Sequence, residues 1–283
     1  MIIHSDCEDV PLDMIAECDV MITDPPYSPH VHENATSTRT GGVGPEARDL
    51  GFAALTPSLR DYIAACASVM KRWSVVFTDF EGFEAWRLAM AAADLEYIRP
   101  IPWIRWSQPQ ISGDRPPTGA ELVVVWHATG PRGPRGGDPK PLKKRWNGGG
   151  GLTHFDQRCM RGVDKHPTEK PLDLVLELVA DFSDPGETVF DPCVGRGTTA
   201  LACRILGRDC IGVECDATEA ALAEARESAP LTPRDRVRAI EWAAKARAEA
   251  EAIPEPTDDS MVPCWERAQR KIDAVARVET ATG

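Results

Sequence analysis

Thr188-Val189-Phe190-Asp191-Pro192-Cys193-Val194-Gly195-Arg196-Gly197-Thr198-Thr199 passes from a short apolar run, through two closely spaced glycines, into a helix-compatible segment. The pattern then repeats: a helix over Thr198 to Leu206, a strand over Cys210 to Val213, and a helix over Ala217 to Arg226. Strands alternating with longer amphipathic helices predict an α/β fold, a parallel sheet covered on both faces. Ligands of such sheets bind at the carboxyl ends of the strands, where glycines let the backbone approach closely. The second strand ends on Glu214, and an acid there can accept hydrogen bonds from both hydroxyls of a ribose. There is no G-x-x-x-x-G-K-[ST] loop, and the third glycine of a G-x-G-x-x-G series, counted from Gly195, is Ala200. A nucleoside triphosphate is therefore a poor guess, and a dinucleotide is disfavoured.

Upstream of this unit, His166-Pro167-Thr168-Glu169-Lys170-Pro171 opens a helix that runs from Pro171 to Phe182. The Thr168 hydroxyl, the Lys170 ammonium and the free N–H groups of the helix start can together bind a carboxylate. Simple capping by Thr168 is the alternative. Before it, residues 128–165 hold nine cations (Arg132, Arg135, Lys140, Lys143, Lys144, Arg145, Arg158, Arg161 and Lys165) against Asp138, Asp156 and Asp164, with four consecutive glycines at 148–151. On a chain of net charge −12 this reads as a polyanion-facing module, with a solvated loop as the plainer alternative. Trp146, between Arg145 and the glycines, is a candidate nucleic-acid contact, whereas Trp103 and Trp106 read as core.

The first 127 residues carry strands at Val20 to Thr23, Val75 to Thr78, Tyr97 to Trp106 (broken by prolines) and Glu121 to His127, with helices at Ser58 to Arg72 and Gly82 to Ala93. Residues 28–56 show no apolar period, and a loop that long is functional or disordered. The first strand stops at Asp24-Pro25-Pro26-Tyr27. Prolines fix the backbone there, so the Asp24 carboxylate and the Pro25 carbonyl can point at one spot. An exocyclic amine donating to both would keep its lone pair available for attack, and the Tyr27 ring offers a stacking face worth roughly 1–3 kcal/mol per base. A base inside a duplex reaches such a pocket only by flipping out. After residue 228 come an Ala-rich helix over 232–252, a Pro-Glu-Pro linker and a shorter helix from about Cys264, readable as a partner helix, a cap or an appendage.

Composition sets the bounds. With 283 residues and 42% apolar content the chain can bury a full core. Nine scattered cysteines without a C-x-x-C pair suit reduced thiols better than disulfides or zinc, so no metal site is expected. Neither a signal peptide nor a run of about 18 apolar residues is present, which predicts a soluble cytoplasmic protein without membrane contact.

In the order Asp-Pro-Pro-Tyr, basic segment, His-Pro-Thr-Glu-Lys-Pro, Asp-Pro-Cys-x-Gly-x-Gly-Thr-Thr, the chain resembles the β-class amino-methylating DNA methyltransferases over roughly residues 1–228. The resemblance implies a Rossmann-like, doubly wound, S-adenosylmethionine-dependent methyltransferase fold with an inserted target-recognition region. It divides the chain into a catalytic half at 1–127 with a flap at 28–56, a recognition insertion at 128–165, a cofactor half at 166–228, and a helical extension at 229–283. It assigns catalysis to Asp24, Pro25, Pro26 and Tyr27, and makes duplex DNA the partner of the basic segment. Around S-adenosylmethionine it places Asp24, Asp191, Pro192, Cys193, Gly195, Gly197 and Thr198. Thr168, Lys170 and Pro171 would lie near its carboxylate, Glu214 would hold its ribose, and Asp6 and Cys7 would flank its adenine. Cys193 stands where family members usually carry Phe, and Ser5 where Gly usually precedes the early Asp. In this family Asp-Pro-Pro-Tyr accompanies adenine N6 more often and Ser-Pro-Pro-Tyr cytosine N4, so adenine is the expected base and cytosine the alternative. The short recognition region fits a homodimer that shares DNA contacts. Two other readings stay open: a methyltransferase acting on RNA or a protein amide, and a catalytically silent DNA-binding protein of this fold.

Overall fold

A computed structural model describes residues 1–33, 36–38, 45–47, 53–104, 119–129, 144, 146–148, 154–157, 169–257 and 262–283. In chain order the strands are β1 (Ile2–His4), β2 (Val20–Thr23), β3 (Thr36–Thr38), β4 (Pro45–Ala47), β5 (Trp73–Thr78), β6 (Glu96–Ile104), β7 (Ala120–His127), β8 (Thr188–Asp191) and β9 (Asp209–Glu214). The helices are α1 (Leu12–Ile15), α2 (Pro29–Glu33), α3 (Pro57–Val69), α4 (Phe83–Ala92), α5 (Leu172–Phe182), α6 (Thr198–Leu206), α7 (Ala217–Ser228), α8 (Pro233–Glu251) and α9 (Val262–Thr282). One seven-stranded sheet in the order β1-β9-β8-β2-β5-β7-β6 organises the molecule. The first five strands of that order are parallel, and β7 runs antiparallel to both β5 and β6.

The central strands are apolar throughout because both faces of the sheet are covered. Alternate residues go to opposite sides. Val20, Ile22, Val75, Phe77, Val123, Val125 and Val189 join one core with Leu174, Leu178, Leu201, Trp242 and Val275 of α5, α6, α8 and α9. Met21, Val76, Val124, Trp126 and Phe190 join the other with Ile63, Cys66, Trp86 and Met90 of α3 and α4.

Three sequence expectations change. Prolines do not break β6: it runs unbroken through Pro100 and Pro102 as the sheet's edge strand. Pro102 O and Ile104 N point outward to Phe155 at 2.9 and 2.7 Å, so these even-numbered positions need no N–H toward β7. The 28–56 segment is not wholly irregular, since it contains α2 and the β3–β4 antiparallel pair. The last helix is the longer of the two C-terminal ones, 21 residues against 19.

Those two helices are a cap, one of the readings the sequence left open. They cover α5, every residue of which is buried, including the acids Asp173, Glu177 and Asp181 at successive i,i+4 positions. Arg238 of α8 donates to both Asp173 oxygens at 2.9 Å. The Trp242 indole N–H and the Lys271 ammonium each reach Glu177 at 2.6 Å. The tail's charges thus answer acids that the domain could not bury alone. No helix among the described residues is long and apolar enough to cross a membrane.

Candidate active site

Asp24, Asp191 and Glu214 end or follow three adjacent parallel strands, β2, β8 and β9, so one edge of the sheet gathers them. The glycine turn after β8 sets the geometry of one side. Gly195 and Gly197 hold φ of +53° and +77°, a region costly for any residue with a Cβ. A Cβ on Gly197 would lie 3.0 Å from the Ala223 Cα of α7, whereas one on Gly195 would meet nothing within 4 Å. The turn is thus pressed against α7 on one side and open on the other. Glu214 braces it, accepting the Gly195 N–H at 3.0 Å on one oxygen and the Asp216 N–H at 2.9 Å on the other.

Asp191 is buried and accepts the Cys193 N–H at 3.1 Å. Burial pushes its carboxyl up to about 6, against the opposing pull of the Thr199 hydroxyl. The Cys193 thiol meets the Cys7 thiol; that contact, with burial, holds Cys193 well above its usual value. The structure thereby brings the Cys7 end of β1 beside the glycine turn. Asp6 is exposed and caps the short helical turn Cys7–Asp9 through the Glu8 N–H at 3.0 Å. Pro192 lies in the same turn, and Pro171 precedes the first residue of α5. The Thr198 hydroxyl accepts from Arg226 at 3.1 Å, beside Glu169.

On the β2 side, buried Pro25 and half-buried Pro26 lead to Tyr27, whose carbonyl accepts the Leu55 N–H at 2.9 Å. The 28–56 segment therefore leaves and returns at the Asp24–Tyr27 turn. Ser28 hydrogen-bonds to buried Asp79, just past β5, and fixes the departure point.

Lys170, expected near a cofactor carboxylate, sits on Asp24, with its Nζ 2.6 Å from each oxygen. It is also 3.4 Å from Glu121 Oε2 and within 5.0 Å of the Tyr27 and Phe77 ring centres and 5.9 Å of Trp103. Carboxylates and ring faces both attract an ammonium, which accounts for its place. Burial raises the Asp24 carboxyl above its ordinary value; Lys170 opposes the shift and Glu121 adds to it. Glu121, Phe77 and Trp103 were not singled out for this site from the sequence. An acid opening the apolar run Leu122-Val123-Val124-Val125-Trp126 was the available signal for Glu121.

Of the proposed DNA contacts, Lys144 and Trp146 are described. Lys144 pairs with Glu96 at 2.6 Å. Trp146 is half-buried and packs on the core, its indole nitrogen buried, because neighbouring Gly148 closes over its ring. Arg132, Arg135, Lys140, Lys143, Arg145, Arg158, Arg161 and Thr168 lie outside the described residues, as do Trp106 and part of the flap. No cluster of potential metal ligands occurs among the described residues.

Comparison with known proteins gives this geometry a family. The type II methyltransferase M2.DpnII of Streptococcus pneumoniae is 34% identical over 79 residues, 28% of this chain and 28% of that protein. The aligned stretch thus spans little more than a quarter of that relative. Among solved structures, M1.HpyAVI in complex with SAM superimposes with a TM-score of 0.58 at 20% identity, covering 81% of this chain and 99% of that one. PvuII DNA methyltransferase, described as cytosine-N4-specific, gives 0.53 at 13% identity, covering 83% and 89%. At such identities the superpositions establish a shared fold, that of SAM-dependent methyltransferases. The family profile for DNA methylases of the N6/N4 type matches residues 18–225, well over half of the chain, so this protein belongs to the N6/N4 DNA methylase family.

Proposed function

We propose that the chain is a DNA methyltransferase that uses S-adenosylmethionine to methylate the N6 amino group of an adenine flipped out of duplex DNA. The observation that carries this is the placement of Asp24 one strand away from the Asp191–Gly197 turn. An acceptor for an amine and a cradle for a nucleoside thereby share one edge of the sheet.

The residues present fit the cofactor. The open face of Gly195 leaves room at the turn, and the Glu214 oxygen that accepts the Gly195 N–H keeps a lone pair for a ribose hydroxyl. When bound, S-adenosylmethionine supplies an electrophilic methyl group on a cationic sulfur. The chain's own part is to hold and polarise the amine. Ionised Asp24 accepts one of its N–H groups and the Pro25 carbonyl the other, which leaves the nitrogen lone pair directed at the methyl carbon. An amine that gained the methyl group would have to shed a proton. Asp24, raised above an ordinary carboxyl by burial, is suited to receive it. The Tyr27 ring stacks on the base. The cations of 128–165 hold the phosphates, and a second subunit extends that contact, so sedimentation on DNA should show a dimer.

The test is transfer of labelled methyl to duplex DNA, RNA and protein in parallel, followed by digestion of the DNA to nucleosides. Label is expected in N6-methyl-2′-deoxyadenosine from the duplex. Label in N4-methyl-2′-deoxycytidine would move the target to the other base, and label in RNA or protein alone would overturn the reading.

A further inference from the structure

Glu121 opens β7 and brings to the site a carboxylate that belongs to neither the Asp24–Tyr27 turn nor the glycine turn. It is buried, its Oε2 accepts the Tyr27 hydroxyl at 2.5 Å, and the same oxygen lies 3.4 Å from Lys170 Nζ. Lys170 meanwhile donates to both Asp24 oxygens at 2.6 Å. On the reading above, on which this inference rests, those oxygens must receive the target amine. An ammonium bound across both of them competes directly with it.

Glu121 offers the ammonium another place. Closing the 3.4 Å gap to an ordinary charged hydrogen bond takes a movement of less than about 1 Å. The Tyr27, Phe77 and Trp103 rings line that short path and favour a cation along it. We propose that Glu121 is a positioning residue that fixes the Tyr27 ring through its hydroxyl and takes over the Lys170 ammonium when the target amine occupies Asp24.

Glu121→Gln keeps the shape and removes the charge. Lys170 should then stay on Asp24, and single-turnover methyl transfer to DNA should slow by about 10²-fold, the scale on which a roughly 1 Å misplacement of a catalytic group acts. Cofactor affinity and thermal stability should be unchanged. The acid limb of the rate should also move. Asp24 is faced by Lys170, Glu121 and Tyr27, and from the adjacent strand by Asp191; burial holds its carboxyl up and the Glu121 charge adds to that. Without that charge Asp24 ionises at lower pH, so the limb shifts downward, while Glu121→Asp, which keeps the charge, leaves it near the wild-type position. In a Tyr27→Phe background Glu121→Gln should still slow transfer, since the Lys170 role does not pass through the hydroxyl.

A Glu121→Gln enzyme with the wild-type rate and limb would overturn the proposal. So would one that is destabilised and slowed by the same factor at every pH, or that fails to fold, because Glu121 would then be structural. Wild-type transfer, measured alongside, tests the underlying reading separately; if the wild type methylates no DNA amine, that reading falls and this inference with it.

Discussion

Replacing Lys271 with Met keeps most of the side-chain volume and removes the charge that ties the C-terminal cap to α5. The Lys271 side chain is 9% exposed, and its ammonium stands 2.6 Å from Glu177, 3.1 Å from Glu249 and 3.8 Å from Asp181. Glu249 is half-exposed and contributes little. Burial pushes the Asp181 carboxyl up to about 8, so at neutral pH it is mostly protonated already and loses little. That leaves Glu177, which keeps the Trp242 N–H but loses its cation. Breaking a buried pair costs about 3–5 kcal/mol, and the remaining indole bond argues for the lower end, about 3 kcal/mol. For a chain of this size that corresponds to a fall in Tm of roughly 6–12 °C. The pH dependence gives a second sign. A carboxyl raised in the folded state lends stability that is complete below its unfolded value near 3.8 and is lost as the pH rises through about 8. Without Lys271 the Asp181 carboxyl titrates higher still, so the gap between variant and wild type should widen above pH 8. Thermal and urea unfolding across pH 6–9, with Glu177→Gln and the double variant, completes the measurement. A shift below about 2 °C, or a Lys271→Met penalty undiminished in the Glu177→Gln background, would refute the pairing argument.

Asp24→Ala should keep cofactor affinity, because Lys170 retains Glu121 within 3.4 Å, and should lower methyl transfer by at least about 10²-fold in single-turnover assays. Loss of cofactor binding as well would show that Asp24 also holds the cofactor. Gly197→Ala and Gly186→Ala both place a Cβ at positive φ, +77° and +84°, but only the former meets backbone, at 3.0 Å from Ala223 Cα. Each should lose about 1–2 kcal/mol to backbone strain, with a further loss and weaker cofactor binding for Gly197→Ala alone, measured by thermal unfolding and by titration. Equal behaviour of the two variants would separate the glycine turn from the cofactor.

The strands that carry the site were legible for a physical reason. β2, β8 and β9 are buried on both faces, so each reads as an unbroken apolar run, and the chain exits each run on a residue that breaks it: Asp24, Asp191 or Glu214. Positive φ at Gly195 and Gly197 likewise leaves a mark in sequence, since glycine adopts it without penalty. Edge and end effects leave weaker marks. At β6 the prolines read as a break, because only the three-dimensional edge shows that their missing N–H faces outward. Strand β1 has three residues, too few for any period. The cap was ambiguous because its stabilising partners, Asp173, Glu177 and Asp181, lie 65 or more residues away from Arg238, Trp242 and Lys271. The Lys170–Asp24 pair, 146 residues apart, depends on the adjacency of β2 and the start of α5, which no local pattern encodes. Glu121 was hidden for the opposite reason. It stands near the start of a strand so apolar that the acid read as its boundary.

The distribution of charge separates the two tasks that the proposed reaction requires. Asp24, Asp191, Glu214 and Glu121 converge on one edge of the sheet, with Lys170 set among the first and last of them. Such a pocket favours a cationic sulfonium and a neutral amine, and it repels phosphate, because like charges in a poorly hydrated site are not screened. A nucleotide held in its duplex position would bring its phosphates toward those carboxylates. In the proposed reaction a base rotated out on its sugar would enter alone, leaving its phosphates to the basic segment 128–165. Net acidity and DNA binding are therefore not in conflict in this chain. In the proposed reaction the acid edge would select the chemistry, the basic segment would supply the attraction, and flipping would let one substrate satisfy both.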